Sequence, residues 1–450
     1  MTPARAVAFW QVSLDDSQDE GDATTAEIRG MFRWTGTWLD PAPPSGFTTA
    51  ESVPEVHTYF LRVMSSLSVG EHISLDVHAL EVLSASVRSL RRSLPPSSLR
   101  SPRSGFDPSS YGSSGDVSSE ALHRTAALRW VQRSTEPVRA ELEIDRLTAR
   151  ISAPPFDLTI GRQPINLATS AFFTPNDFFA PFQAEAFFRL YKPGVDAARL
   201  DVQFGELSGA TLVGVLGYRH GAHPTDDTIR IDASSWLAQG RGTVGPVELS
   251  VLAGCVRSQS ILGGGVQGEI FSVLGVRGEG HFVLETGVLE LSLGVEHRFE
   301  SSLFLRAELF YHGAGASKSD AYFEDAEVGG AEVGGAEPAG SALSAHSAIP
   351  YLGRHYAAIG ASYELSALTL IDLVALANLR DGSALLSAQL TYALLDEAEA
   401  AVQASVPLGP RGAIQSTEPL GHQASTIDVA PTREFRLYPT QLTVELRLYF

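Results

Sequence analysis

Long hydrophobic runs are missing from this 450-residue chain. The richest stretch, LTLIDLVALANL at 368–379, is broken by Asp372 and Asn378, far from the ~18–20 apolar residues of a membrane-spanning helix. Any passage through a bilayer must therefore use strands. Cysteine is nearly missing as well: Cys255 stands alone, which excludes an intrachain disulfide and a cysteine-based metal cluster. Lysine occurs only at Lys192 and Lys318, so arginine carries the basic charge. That charge is in short supply, with 33 Lys and Arg against 52 Asp and Glu and a net −19. Nucleic acid, which is bound by neutralising phosphates with basic patches, is excluded as a partner. Catalytic signatures are absent too. There is no Gly-x-Ser-x-Gly elbow, no His-Glu-x-x-His pair and no glycine loop with lysine ahead of a helix. The 12 histidines are scattered, and Glu141, Glu143 and Asp145 read as one face of a strand rather than as an acid–base pair. The chain reads as a non-enzyme with no cofactor and no metal site.

What is present is alternation. With 44% apolar residues the chain has the means to bury or present a large apolar surface. Period-two segments recur: Ile28, Gly30, Phe32, Trp34, Gly36 and Trp38 share one face, as do Leu303, Leu305, Ala307, Leu309 and Tyr311. The opposite faces carry Glu248 and Ser250, then Glu290, Ser292, Glu296 and Arg298, then Arg306, Glu308 and His312. The chain finishes on QLTVELRLYF, where Leu442, Val444, Leu446, Leu448 and Phe450 alternate with Gln441, Thr443, Glu445 and Arg447. A strand that regular at a chain end needs neighbours on both edges, which a closed sheet supplies. Roughly sixteen segments, fourteen to eighteen, have the ~9–11-residue length of tilted membrane strands. The fold class predicted is all-β: a transmembrane antiparallel barrel, apolar outside and polar inside, with long extracellular loops.

Connections are unequal, as such a barrel requires. Short links fall at 153–155, at 300–301 and near Asp396. Long ones fall at 87–119, at 164–195, at 313–350 and at 407–433. The domain reading is an N-terminal periplasmic segment, 1–24, and one barrel, 25–450, with both termini periplasmic. The arginine-serine loop 87–119 reads as a plain exposed loop or a dock for anionic lipopolysaccharide. The repeat AEVGGAEVGGAEP at 326–338 lacks the oxygen spacing of a calcium loop and reads as solvated chain. At the start, MTPARAVAFWQVSLDD has too short an apolar patch for a signal-peptide core. The expectation is a mature, truncated or misassigned start.

The most individual segment is LTIGRQPINLATSAFFTPNDFFAPFQAEAFFRLYKPGVDAARLDVQFG, 158–205. It reads as a strand ending near Gln163, an aromatic excursion with a Thr174-Pro175-Asn176-Asp177 turn, and a return strand from about Ala197. Gly161-Arg162-Gln163, Pro175 with Asp177, Phe178 and Pro181, and Pro193 to Ala197 with Arg199 resemble motifs of a porin-like family of Gram-negative outer-membrane β-barrels. A Trp-Gly pair expected after Gly-Arg-Gln is replaced by Asn166-Leu167. The resemblance implies a barrel in the outer membrane, and Phe450 looks like the sorting signal read by the barrel-assembly machinery. The expected partners are outer-membrane lipid, lipopolysaccharide and that machinery, with cell-envelope proteins as further candidates. The leading function is a channel for small polar or anionic solutes. The alternative is a structural or docking barrel in a secretion, polysaccharide-export or motility complex. The loop 164–195 is expected to fold into the lumen as a constriction. Arg162, Asp177, Arg189, Lys192, Asp196 and Arg199 are the pore candidates, either facing the path or pairing with one another as braces.

Overall fold

The structure is a computed structural model that describes residues 10–13, 24–40, 55–86, 122–135, 137–221, 223–319, 351–409, 414–415, 428–429 and 433–450. The expectations for 1–24 (but for Trp10–Ser13), for 87–119 and for most of 313–350 and 407–433 fall outside the described residues.

Eighteen antiparallel strands close into one barrel. The first six are β1 Thr24–Asp40, β2 Glu55–Val69, β3 Ile73–Ser86, β4 Val138–Ala153, β5 Phe156–Gln163 and β6 Val195–Gln203. The next six are β7 Ser208–Arg219, β8 Thr228–Val244, β9 Val247–Val256, β10 Gln259–Ile270, β11 Leu274–Val283 and β12 Val288–Arg298. The last six are β13 Leu303–His312, β14 His355–Ser366, β15 Thr369–Asn378, β16 Ala384–Leu395, β17 Ala398–Leu408 and β18 Thr440–Tyr449. Each pairs with its sequence neighbours, and β18 closes the ring by pairing β17 on one edge and β1 on the other. The strand Arg129–Thr135 adds a hairpin to the upper half of β4, where β5 has already ended.

The exposure pattern is inverted relative to a water-soluble protein. Along β18, Gln441, Thr443, Glu445 and Arg447 are 4–7% exposed, while Leu442 and Phe450 are 45% and 44% exposed. The same inversion runs round the wall, with Leu249, Val251, Leu293 and Leu309 outward and Glu290, Ser292 and Glu308 buried inward. An apolar band of this extent is incompatible with water and is the outer face of a membrane barrel. No described helix is long and apolar enough to span a membrane, a statement about helices alone.

Among the described residues, one rim carries only short turns, at 70–72, 154–155, 204–207, 245–246, 271–273, 299–302, 367–368 and 396–397. Both the start of β1 and the end of β18 lie at this rim. The long links 87–137, 164–194, 313–354 and 409–439 all lie at the other. That rim is not uniformly long, because Arg257 and Ser258, with φ 47° and 67°, join β9 to β10 in two residues. Near it the inner wall turns apolar. Val213, Leu237, Leu252, Ile261 and Val283 on one side, and Phe310, Tyr356, Val374 and Leu376 on the other, point inward and need a cover.

Candidate functional site: a loop across the lumen

Residues 164–194 are that cover. The loop starts from a root in which every residue of the Gly-Arg-Gln motif has a task. Gly161 sits at φ +118°, and a Cβ there would lie 2.1 Å from the Leu147 carbonyl oxygen of β4, so only glycine fits. Arg162, 1% exposed, donates from Nε and Nη2 to both oxygens of Asp196 at 2.7 and 3.2 Å. Its remaining N–H groups reach Glu143 at 3.3 Å, the Ile144 carbonyl at 3.0 Å and the Thr125 carbonyl at 2.9 Å. Gln163 donates to the Thr159 and Ala197 carbonyls, both at 3.1 Å. On the return side, a Cβ on Gly194 would lie 2.5 Å from the Asp145 carbonyl oxygen, which explains the glycine in Pro193-Gly194-Val195.

The root continues as a charge network. Arg124 pairs with Glu143 at 2.9 Å and Asp145 at 2.8 Å, and Arg62 pairs with Asp145. Three guanidinium groups thus meet three carboxylates, Glu143, Asp145 and Asp196. The end of the 87–137 link is docked on the same network: Thr125 N–H donates to Asp196 at 2.7 Å and His123 Nδ1 donates to the Leu216 carbonyl at 3.1 Å. Burial, helped by Arg257, pulls the His123 pKa down to about 4, so the ring is neutral.

Beyond the root, two inward carboxylates of the wall grip the loop backbone. Glu308 of β13 accepts the N–H groups of Ala171, Phe172 and Phe173 at 2.6, 2.8 and 3.0 Å. Glu279 of β11 accepts from Thr169 N–H, from the Thr169 hydroxyl at 3.0 Å, from Ser170 N–H at 3.2 Å and from Asn176 N–H at 3.4 Å. Irregular backbone inside a protein has no ladder to satisfy it, and these carboxylates supply acceptors in its place. The aromatic side chains fill the apolar inner wall. Phe178 and Phe179 join the cluster of β7–β11, and Phe173 stacks on Phe310 at 5.0 Å. The return segment reaches the other side of the ring, with Phe188 under Arg33 and Arg447 at 4.4 and 4.6 Å and Tyr191 under Arg62 at 4.6 Å. Rooted at β5–β6 and touching β13–β14, half the ring away, and then β18–β1–β2, the loop crosses the whole lumen.

A second strap meets it. Glu434, between β17 and β18, accepts hydrogen bonds from Leu352 N–H and Asn378 Nδ2, both at 2.8 Å, and from the Tyr356 hydroxyl. Complete burial raises its pKa to about 7 against those donors, and burial also raises Glu185 of the crossing loop. Tyr351 is flanked by both carboxyls, so three long-rim links converge here.

The six candidate residues take unequal places. Arg162 and Asp196 form the buried root. Asp177, 4% exposed, pairs with Lys192 inside the loop. Arg189 faces no open path: it donates to the carbonyls of Ala186 at 2.8 Å, Ala184 at 2.8 Å, Gln183 at 3.2 Å and Ala171, holding the loop's own turns. Arg199 is the member most open to the lumen, at 27% side-chain exposure, chelated by Asp201. Missed from the sequence were Glu279, Glu308, Glu434 and the Arg62–Arg124 half of the root. Arg146 and Arg241, lumen-facing with no carboxylate partner among the described residues, were missed too. Inward alternation was the only signal for those on strands, and Arg124 and Glu434, on links, gave none.

No family model and no curated protein matches this chain. Solved structures are similar in shape. An Acinetobacter baumannii OccAB2 structure has 10% identity over 94% of this chain and 98% of that one, with a TM-score of 0.49. Pseudomonas aeruginosa OccK7 (OpdD) gives 10%, 94%, 98% and 0.48. A Salmonella typhi OmpF complex with daunomycin gives 7%, 96%, 99% and 0.43.

Proposed function

We propose that this chain is a channel in the outer membrane of a Gram-negative bacterium, passing small polar or anionic solutes, with residues 164–194 as its constriction. The observation that carries the reading is the crossing loop: it is fastened by Glu279, Glu308 and the Arg162 root to several parts of an eighteen-strand wall that is polar within. Fixed at so many points, it sets the width of the path between itself and the wall instead of moving freely in it. Arg146 and Arg241 on that wall, which have no carboxylate partner among the described residues, favour anions where the dielectric is low. The protein acts by positioning charge along a conduit and performs no bond chemistry. Its partners are envelope lipid and, during biogenesis, the barrel-assembly machinery.

Planar-bilayer recording tests this. The parent is expected to conduct. Removal of 168–190, in protein whose gel migration stays heat-modifiable, is expected to raise conductance several-fold and erase ion preference. A folded but silent parent overturns the channel and favours the docking barrel of an envelope complex. An unchanged pore after deletion makes the loop a brace.

A further inference from the structure

Closure leaves part of β1 to another strand. β18 pairs β1 from Thr440 opposite Asp40 to Tyr449 opposite Met31, and Phe450 exchanges both backbone bonds with Gly30. β1 itself begins at Thr24, and on its β2 edge the ladder runs down to Thr24 opposite Val69. On the β18 edge its lower end is taken by the short strand Trp10–Ser13, with Trp10 opposite Ile28, Gln11 opposite Glu27, Val12 opposite Ala26 and Ser13 opposite Thr25. This strand and β18 are both antiparallel to β1, so they share one direction and one track. Only the place opposite Arg29 separates Phe450 from Trp10. The alternation keeps its phase across that place: Leu448, Phe450, Trp10 and Val12 hold the lipid-facing register, opposite Phe32, Gly30, Ile28 and Ala26.

The position of this strand matters because the ladder alone does not stop β18 from sliding. In a hairpin the turn fixes the register, and β18 and β1 share no turn. A slip of one residue would turn Glu445 and Arg447 into lipid, so alternation forbids it. A slip of two keeps every side chain on its face. Away from the short-turn rim, it carries Thr440 and Gln441 past Asp40, where β1 stops, and forfeits their ladder bonds. Toward that rim it forfeits none. Glu445 would come directly opposite Arg33, with which it already pairs at 2.6 Å, and Thr443 would come opposite Thr35. Phe450, however, would land opposite Ile28, in the place of Trp10. We infer that Trp10–Ser13 is a register stop: docked on β1, it blocks the slip toward the short-turn rim and fixes the stagger at which the barrel closes. Strand number and stagger together set a barrel's diameter, so the stop also fixes the width that the crossing loop must fit.

The test reads the register from disulfides in the full chain carrying Cys255→Ser, refolded into lipid vesicles under oxidising conditions. Thr37→Cys/Thr443→Cys reports the register described, since these residues are directly opposite with their hydroxyls 3.1 Å apart, and Thr35→Cys/Thr443→Cys reports the slipped one. A disulfide needs Cβ atoms about 3.5–4.5 Å apart, whereas diagonal neighbours on a sheet stand about 7 Å apart, so each pair answers for one register. With the N-terminal strand intact, the first pair is expected to form about tenfold more disulfide than the second. With Gln11→Pro/Val12→Pro, which breaks the strand, that ratio is expected to fall several-fold in the heat-modifiable fraction. Val12→Ile, which keeps the strand, should match the parent ratio. Where the proline variant yields no heat-modifiable barrel, Gln11→Gly/Val12→Gly, which weakens the strand without removing its N–H groups, is read in the same way. A ratio unchanged in the strand-breaking variants overturns the stop and leaves the register to the contact of Phe450 with Gly30. Equal yields of the two disulfides with the strand intact overturn it as well. The readout is not a conductance, so a silent pore counts against the channel reading alone.

Discussion

Arg162 illustrates what a single side chain does in this fold. It donates five hydrogen bonds from a position 1% exposed, and truncation would strand Asp196 without its cation while leaving Glu143 only its Arg124 pair. Breaking a buried pair by removing one partner costs about 3–5 kcal/mol. Arg162→Ala is expected to lose that much in guanidinium unfolding in detergent, and to make current through the pore noisier. Arg162→Lys should recover little, because a point charge cannot serve two carboxylate oxygens and two carbonyls at once. A parent-like midpoint for Arg162→Ala would remove the root from the account. The motif residues around Arg162 were legible as a unit because glycine and proline mark backbone constraints. Their partners were not. Alternation tells which face a residue occupies, yet Glu143, Asp145, Arg62 and Arg124 come from strands and links far apart in sequence. The role of Arg189 was not legible for a related reason: irregular backbone leaves carbonyls to be satisfied, and no spacing reveals that an arginine will collect four of them.

At the scale of elements, strands were readable and their number nearly so. The reading of about sixteen, within fourteen to eighteen, meets an observed eighteen, and the weakest alternation lies where glycine replaces side chains, in β10 with Gly263, Gly264, Gly265 and Gly268 and in β11 with Gly275, Gly278 and Gly280. The strap ending at Glu434 was not readable, since one acid in a long link looks like any solvated acid. Its burial gives it a pH dependence. The docked carboxyl has a pKa of about 7 against an ordinary 4.5, so docking is fully favoured below about pH 4.5 and loses that advantage as pH rises through 7. The difference amounts to something on the order of 3 kcal/mol by the equivalence of one pKa unit to about 1.4 kcal/mol. Hydrogen exchange at Glu434–Leu437, corrected for the intrinsic rate, is expected to quicken between pH 5 and pH 8 by about a hundredfold, and Glu434→Gln should flatten the profile. Exchange that slows with rising pH would reverse the sign of the argument.

For the whole molecule the decisive event is closure, because a barrel with one unpaired edge leaves backbone N–H and C=O groups in lipid at several kcal/mol each. The closing seam is β18 on β1, and its last bonds are an antiparallel pair, with Phe450 N–H donating to the Gly30 carbonyl at 3.0 Å and Gly30 N–H donating back at 2.5 Å. The Phe450 ring lies over Gly30, where a Cβ would meet it at 2.1 Å, so the glycine is a seat for the ring. Two roles for Phe450 can therefore be separated. If the ring seals the seam, Phe450→Asp and Gly30→Val should both lower the yield of refolding into pure lipid vesicles, where no assembly machinery is present. If the ring serves only as a sorting signal, Gly30→Val leaves the signal intact, and both variants refold in vesicles like the parent while Phe450→Asp alone fails in cells. The seam geometry favours the first outcome. The expected result is a several-fold loss of heat-resistant barrel in vesicles for Phe450→Asp and a smaller loss for Gly30→Val, since a displaced ring can still shield the seam from the side. Parent-like vesicle refolding by both variants would reject a sealing role and leave Phe450 to the machinery.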